Sequence, residues 1–400
     1  MQILIPNATG FNNMGDEAIM FGLLKLIRDA LPSSNVTIQT YDPDLYNNPE
    51  AAKISYAIYG WTVFENKNFF IRFFRISQLF ILYWSIKLRL PFFRKNKLAS
   101  IVDEYRKADM IIFAGGGYLR TRAGLTQLLN LIMQLSMFWF ANLFDKPRIV
   151  APISFGPFHS KWHGKLAARA LKKMNIVFAR EEKSGQYMNE EGVNAEVVPD
   201  MAFFLPEAQP DLNKGKILGI TMIELLGRRQ AIFEKNYIVA LGKFAITHGY
   251  KIQPLIHVDA AKYGISDVPA TQRIIKSLED LGVETLPIIN TRSIKELMSH
   301  YSKLDIFLGM RMHSDIIAAT QLIPFVAIAY EHKTEGVCKA LGLSDFCIGV
   351  DEVDTETLLK LLNNLVKDKA QIKEKLLSFQ KTVDSVWKPK FSEVLKSYAN

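Results

Sequence analysis

Arg311, His313 and Ser314 fall within one short stretch of this 400-residue chain, and together they suit an anionic substrate that must also receive a proton. A planar guanidinium forks onto a carboxylate or a phosphate. An imidazole exchanges protons near neutral pH. The surrounding residues 304–330, LDIFLGMRMHSDIIAATQLIPFVAIAY, read as strand, sharp turn, helix and strand. The apolar run 304–308 leads to Gly309, which permits a tight turn or a close backbone approach. Ile316, Ile317 and Thr320 keep helical spacing, and Pro324 stops the helix before the apolar run 325–329. A helix N-terminus after a parallel strand presents backbone N–H groups and a positive dipole end, which suits an anion. A plainer reading competes. An Arg at such a junction is often a salt-bridged charge, and a lone His there often only a helix-terminal hydrogen-bonding group.

Other chemistry-bearing residues sit at similar places. Residues 2–6 are strand-like, NATGFNNMGDEAI follows, a helix is expected over 18–31, and the next strand is 36–40. Doubly wound α/β folds bind ligands at such a β–loop–α–β turn, but without GxGxxG no dinucleotide site is expected. Asn12 lies in that loop, and Asp16 and Glu17 open the helix, either as proton acceptors or simply as complements to the dipole. The apolar strand 108–114 ends in Gly115, Gly116 and Gly117, whose backbone N–H groups suit a close ligand or merely a packing turn. Arg180 follows the strand 175–179, as a cation at the sheet edge or a charge held by Glu181 or Glu182. Asp200 follows the strand 193–198. His159 and His163 are one helical turn apart but lack the Glu of a zinc-protease motif, so they read as surface residues, and no metal is expected.

Composition narrows the class. Hydrophobic residues make up 49% and charged residues 22%, the proportions of a globular chain with a sizeable core. The formal charge of +9 favours anionic partners, and the basic residues are spread along the chain rather than gathered in one dense run. Nucleic acid is therefore not expected. Two cysteines, Cys338 and Cys347, fit buried thiols in a reducing compartment. The N-terminus lacks the basic start and long apolar core of a signal peptide, so a cytoplasmic protein is expected, with the inner face of the cell membrane as a second station.

Two segments test contact with a membrane. Residues 123–144 carry no charge, but contain Gln127, Asn130, Gln134 and Asn142 and lie between sheet strands, which favours a buried helix. Residues 56–93 mix Phe, Trp and Leu with Lys67, Arg72, Arg75, Lys87 and Arg89. That mixture fits peripheral membrane contact as well as an ordinary helix packed on its domain.

The second half repeats the α/β alternation. Strands are expected at 217–222, 251–256 and 284–288, and helices at 236–248, 271–281 and 293–301. After residues 304–330, strands at 341–346 and 350–353 finish the sheet, and helices at 355–367 and 370–386 close the chain. The Pro- and Gly-containing stretch 206–216 reads as a linker. The fold expected is α/β: two Rossmann-like domains, 1–205 and 217–370, facing a cleft in a GT-B-like architecture, with helices over 371–400. An aromatic and basic insertion occupies about 56–97 of the first domain.

The chain resembles the polysaccharide pyruvyl transferase family. The resemblance is carried by GFNNMGDEAI (10–19), FAGGGYL (113–119), ISFGPF (153–158), AREEKS (179–184), VVPDMAF (197–203) and RMHSDIIAATQLIPFVAIAY (311–330). Asp200-Met201 stands where the family often has Asp-Pro, and YEHK (330–333) is a loose match to a Tyr…Lys pair, which brings in Lys333. The resemblance implies transfer of the enolpyruvyl carbons of phosphoenolpyruvate onto two hydroxyls of a sugar, giving a cyclic pyruvate ketal and phosphate. It implies a sugar or lipid-linked oligosaccharide acceptor, the second domain as the phosphoenolpyruvate side, and no cofactor beyond that donor substrate. It assigns phosphoenolpyruvate handling to Arg311 and His313, and less directly to Arg180.

The chemistry asks for such groups independently. The donor carries a carboxylate and a phosphate, and its methylene carbon must gain a proton, so it needs a cationic clamp and a general acid. The helix dipole alone favours a neutral His313, whereas a bound anion favours its charged form. A carboxylate must accept hydroxyl protons; Asp16, Glu17 and Asp200 are the candidates. A nucleotide-sugar glycosyltransferase on the same fold is an alternative, although Glu331 and Glu335 do not have the spacing such enzymes often show. A non-catalytic glycan-binding relative is another.

Overall fold

In the computed structural model the chain divides by its contacts into two compact α/β units. The structure describes residues 1–9, 12–44, 46, 48, 51–64, 69–90, 97–206, 215–225 and 228–399. Most of the expected linker, Gly10 of the first motif, and parts of the 56–97 insertion lie outside these residues.

The first unit comprises Met1–Phe11, Gly22–Met201 and Trp387–Asn400. Its strands are β1 (Gln2–Ala8), β2 (Asn35–Thr40), β3 (Lys53–Tyr56), β4 (Met110–Phe113), β5 (Gly116–Leu119), β6 (Arg148–Phe155), β7 (Ile176–Ala179) and β8 (Glu196–Val197). They form a parallel sheet in the order β3-β2-β1-β4-β6-β7-β8, with β5 beside β6. Every residue of β4 is buried, as expected of a parallel strand covered on both faces. The helices are α1 (Met14–Ala30), α2 (Phe69–Lys87), α3 (Lys97–Lys107), α4 (Leu125–Ala141), α5 (Lys161–Leu171) and α6 (Glu182–Glu190). The uncharged segment 123–144 supplies α4, whose Leu131, Leu135 and Phe138 enter the core; Phe138 stacks on Phe113 with ring centroids 4.2 Å apart. No described helix is long and apolar enough to cross a membrane.

The second unit comprises Asn12–Phe21 and Ala202–Val386, so α1 contributes its first turns to this unit. The strands β9 (Ile217–Ile220) and β10 (Lys251–Pro254) precede a small hairpin of β11 (Asp259–Ala260) and β12 (Ile265–Ser266). With β13 (Ile306–Gly309), β14 (Phe325–Ala329) and β15 (Cys347–Gly349) they complete the unit, whose parallel sheet runs β10-β9-β13-β14-β15. Its helices are α7 (Arg228–His248), α8 (Val268–Asp280), α9 (Ile294–Tyr301), α10 (Met312–Thr320), α11 (His332–Ala340), α12 (Thr355–Lys367) and α13 (Lys369–Thr382); α14 (Lys388–Ser397) returns to the first unit.

Several expected elements differ. The strand expected at 284–288 is reduced to isolated bridges through Thr285 and Ile289, because Pro287 lacks an N–H and interrupts the ladder. Residues 341–346 and 350–353 are not strands: α11 ends before the left-handed Gly342, short 3-10 turns follow, and the edge strand is β15 between the two. Gly116 and Gly117 open β5 instead of forming a loop. His163 is buried on α5 with its Nδ1 2.9 Å from Thr121 Oγ1, not at the surface, while His159 is exposed. Cys338 is buried and Cys347 half-buried, and the two thiols hydrogen-bond each other.

Candidate functional site

Within the second unit, Asn12–Met14 pair by their backbone with the stretch that follows β10. Met14 N donates to His257 O at 2.8 Å, Asp259 N donates to Asn12 O at 3.1 Å, and Asn13 bridges Val258 in antiparallel fashion. Asn12 takes a left-handed φ of 50°, and its side-chain amide donates to Asp259 O at 3.2 Å. Asn13 accepts from Gly15 N at 3.0 Å and donates to Asp16 Oδ2 at 2.9 Å, which both caps the helix and aims that carboxylate.

Gly15 explains why this loop matters. A Cβ there would lie 2.6 Å from His313 Cγ, closer than real Cβ atoms approach, so the imidazole rests directly on the glycine backbone. The structure thereby brings His313 together with the first turn of α1, where Asp16 and Glu17 sit. Burial, and then the neighbouring Asp16, push the Glu17 carboxyl up to about 8. At neutral pH Glu17 is therefore mostly protonated.

Arg311 caps α10 from an extended conformation, φ −121° and ψ 123°. Asp267, 1% exposed, grips it in bidentate fashion: Nε donates to Oδ2 at 3.2 Å and Nη2 to Oδ1. Asp267 also accepts from Val258 N at 2.9 Å and from the His257 backbone N–H. Tyr330 hydrogen-bonds the same guanidinium. Burial lowers the Arg311 pKa, but the Asp267 charge and hydrogen bonds outweigh it and hold the guanidinium above its usual value. Arg311 thus has the salt-bridge partner of the plainer reading, yet keeps 22% of its side chain exposed.

Beneath the turn runs a chain of hydroxyls. His257 Nε2 lies 2.8 Å from Tyr301 Oη, Tyr301 hydrogen-bonds Ser314, and Ser314 Oγ lies 3.0 Å from Thr221 Oγ1. Ser314 also donates to Arg311 O at 2.6 Å, and Thr221 accepts from Met310 N at 3.0 Å. Ser314 is wholly buried, so its hydroxyl orders the turn from below. Burial, then the charges of Arg311 and His313, drive the His257 pKa down to about 3, which keeps this imidazole neutral. Asp315 is also buried; its carboxyl packs where Gly309 leaves room, and burial raises its pKa well above the carboxylate range. Lys333 pairs with Glu331 at 2.7 Å in the first turn of α11, just after Tyr330.

The remaining candidates belong to the first unit. Arg180, at the end of β7, donates to Ser154 Oγ at 2.6 Å and to Asp200 Oδ2 at 3.0 Å, and lies 3.2 Å from Glu181 Oε2. Its side chain and that of Asp200 are each 3% exposed. A Cβ on Gly117 would sit 3.0 Å from Arg180 Nη2, so the glycine gives the guanidinium room. Gly116 pairs with Ile153 across the sheet, and Gly115 is the residue before it. Asp267, His257, Tyr301 and Asn13 are the site residues that the sequence reading does not single out. His257 carries the one usable signal, a titratable residue just past the end of a parallel strand.

Known proteins resemble this chain in sequence and in fold. A profile of the polysaccharide pyruvyl transferase family matches residues 13–332, which spans both motif-bearing regions. The amylovoran biosynthesis protein AmsJ of Erwinia amylovora is 24% identical over 309 residues, 70% of each chain. Among solved structures, a glycosyltransferase from Rickettsia africae superposes with a TM-score of 0.57 at 14% identity, over 100% of this chain and 98% of that one. A putative UDP-N-acetylglucosamine 2-epimerase from Listeria monocytogenes gives 0.56 at 11% identity, over 98% and 97%. These structural likenesses establish the fold, α/β with two Rossmann-like units of the GT-B kind.

Proposed function

We propose, from the premise that this chain belongs to the polysaccharide pyruvyl transferase family, that it joins the enolpyruvyl carbons of phosphoenolpyruvate to two hydroxyls of a sugar. The sugar belongs to a surface polysaccharide or its lipid-linked precursor, and the products are a cyclic pyruvate ketal and phosphate. The biosynthetic role in the name of the Erwinia relative supports a polysaccharide acceptor. The observation that carries the reading is the seating of His313 against Gly15, which groups an imidazole, a guanidinium and two carboxyl groups within one unit.

The reaction needs a proton on the donor's methylene carbon, so that the adjacent carbon becomes electrophilic. His313 supplies it, while Arg311 and the first N–H groups of α10 hold the donor's anionic groups. One sugar hydroxyl adds to the activated carbon and loses its proton. The carbon–oxygen bond to phosphate then breaks, and the second hydroxyl closes the ketal. Two hydroxyl protons leave the sugar: one balances the proton given to the methyl group, the other departs on phosphate. Asp16 is the acceptor this reading favours, because Glu17 is mostly protonated near neutral pH and Asp200 is buried against Arg180.

Thermal shift with phosphoenolpyruvate beside a panel of nucleotide sugars tests the donor, and phosphate release with candidate glycans tests the transfer. Stabilisation by phosphoenolpyruvate and phosphate release are expected. Stabilisation by UDP- or GDP-sugars and none by phosphoenolpyruvate would sink the proposal.

A further inference from the structure

The positive charge of this chain is local. Residues 66–102 contain eight Lys and Arg, among them Arg75, Lys87, Arg89 and Lys97, and not one Asp or Glu. The rest of the chain holds 41 basic against 40 acidic residues, so nearly the whole excess of +9 lies in this segment. The basic residues are spread along the chain, but their excess is not.

The same segment exposes apolar side chains. On its inner side α2 sends Leu79 and Leu82 into the core, with Ile76, Tyr83 and Ile86 packed around them. On its outer side Phe74 is 61% exposed, Ile81 49% and Trp84 50%, and Leu88 in the following turn is 59% exposed. At 100° per residue, Phe74, Ile81 and Trp84 share an arc of about 80°. Lys87 Nζ lies 4.6 Å from the Trp84 ring centroid, which sets a cation beside an amphipathic ring.

We infer that the outer face of α2 and its following turn form a docking surface for an anionic lipid bilayer, with the helix lying in the plane of the interface. Aromatic and aliphatic groups on one side with Lys and Arg around them are what an interfacial helix presents to acyl chains and headgroups. Helix α2 is not long and apolar enough to cross a membrane. A second copy of the chain is a poor occupant, since a two-fold contact would set this acid-free basic segment against itself. Nucleic acid would use the cations and aromatics but leaves Ile81 and Leu88 without a purpose. The inference stands apart from the transfer reaction, and its test needs no donor or acceptor.

The full chain is sedimented with vesicles of phosphatidylcholine mixed with phosphatidylglycerol, and with pure phosphatidylcholine. Binding to the mixed vesicles is expected, weakening with salt and falling about fivefold for each engaged basic residue removed, as in K87Q and R89Q. The exposed triple variant F74S/I81S/W84S loses sedimentation while its circular dichroism and melting stay those of the parent. No sedimentation with either vesicle, or sedimentation unchanged in the triple variant, overturns the inference. So does light scattering that shows a dimer which the triple variant dissolves, or a loss of single-stranded nucleic-acid binding in its place.

Discussion

Arg180 and Arg311 stand at equivalent places in their two units, each just past a parallel strand at the entry to a helix, yet they are buried differently. Arg180 is sealed: 3% exposed, with Asp200, Glu181 and Ser154 around it. Arg311 is gripped by Asp267 on one side and keeps 22% of its side chain open. Two residues further on, the first junction has Glu182 and the second has His313, which lies against Gly15. A guanidinium enclosed by carboxylates has donors committed to its own sheet edge. One anchored from behind and open in front is oriented for a ligand without the entropy cost of ordering a free side chain.

Substitutions can break that contrast. H313Q is expected to lower kcat by about a hundred- to ten-thousand-fold while melting stays near the parent; unchanged turnover, or a pH–rate profile that does not move, would remove His313 as the acid. R180M is expected to cost about 3–5 kcal/mol of stability in denaturant titration, because it breaks the buried ion pair with Asp200. R311M should be milder there, since Asp267 keeps two backbone N–H donors, but harsher in turnover. The reverse order would show the assignment of open and sealed arginines to be backwards. G15A inserts a Cβ into the His313 ring, and a displacement of that size costs about a hundredfold in rate; full activity would mean that the imidazole position is not critical.

A pH-dependent effect is expected at Glu17. Its carboxyl rises from an ordinary 4.5 to about 8, so between those values the folded chain holds a proton that the unfolded chain has released. This group's contribution is fully present below the lower value and is lost as pH rises through the upper one. Melting of E17Q should therefore match the parent near pH 4 and exceed it increasingly toward pH 8. A constant difference across that range would refute the raised value.

The sequence conveyed the periodic parts well. Residues 325–329 form β14 with the expected bounds, because an all-apolar run after a proline has few other readings in a parallel sheet. The junction Arg311–His313 was equally legible, since position relative to a strand end is local information. What stayed hidden is long-range. Asp267 lies 44 residues before Arg311, and nothing in its neighbourhood marks it as the partner. Glu17 looks like any first-turn acid until its burial is known. The sheet edge beyond β14 failed for another reason: short strands beside turns carry too few residues to show a period.

His257 has a consequence for mutagenesis. Its carbonyl holds Met14, its backbone N–H holds Asp267, and only its ring reaches Tyr301. Two of the three ties are made by atoms that every residue but proline possesses, so an alanine scan would report on the ring alone and undervalue the position. A proline at 257 deletes the donor to Asp267. A one-residue insertion between Asn12 and Gly15 slips the glycine from under the imidazole. Such backbone edits, rather than side-chain truncations, are the perturbations that would expose how far this strand end sets the register of the site.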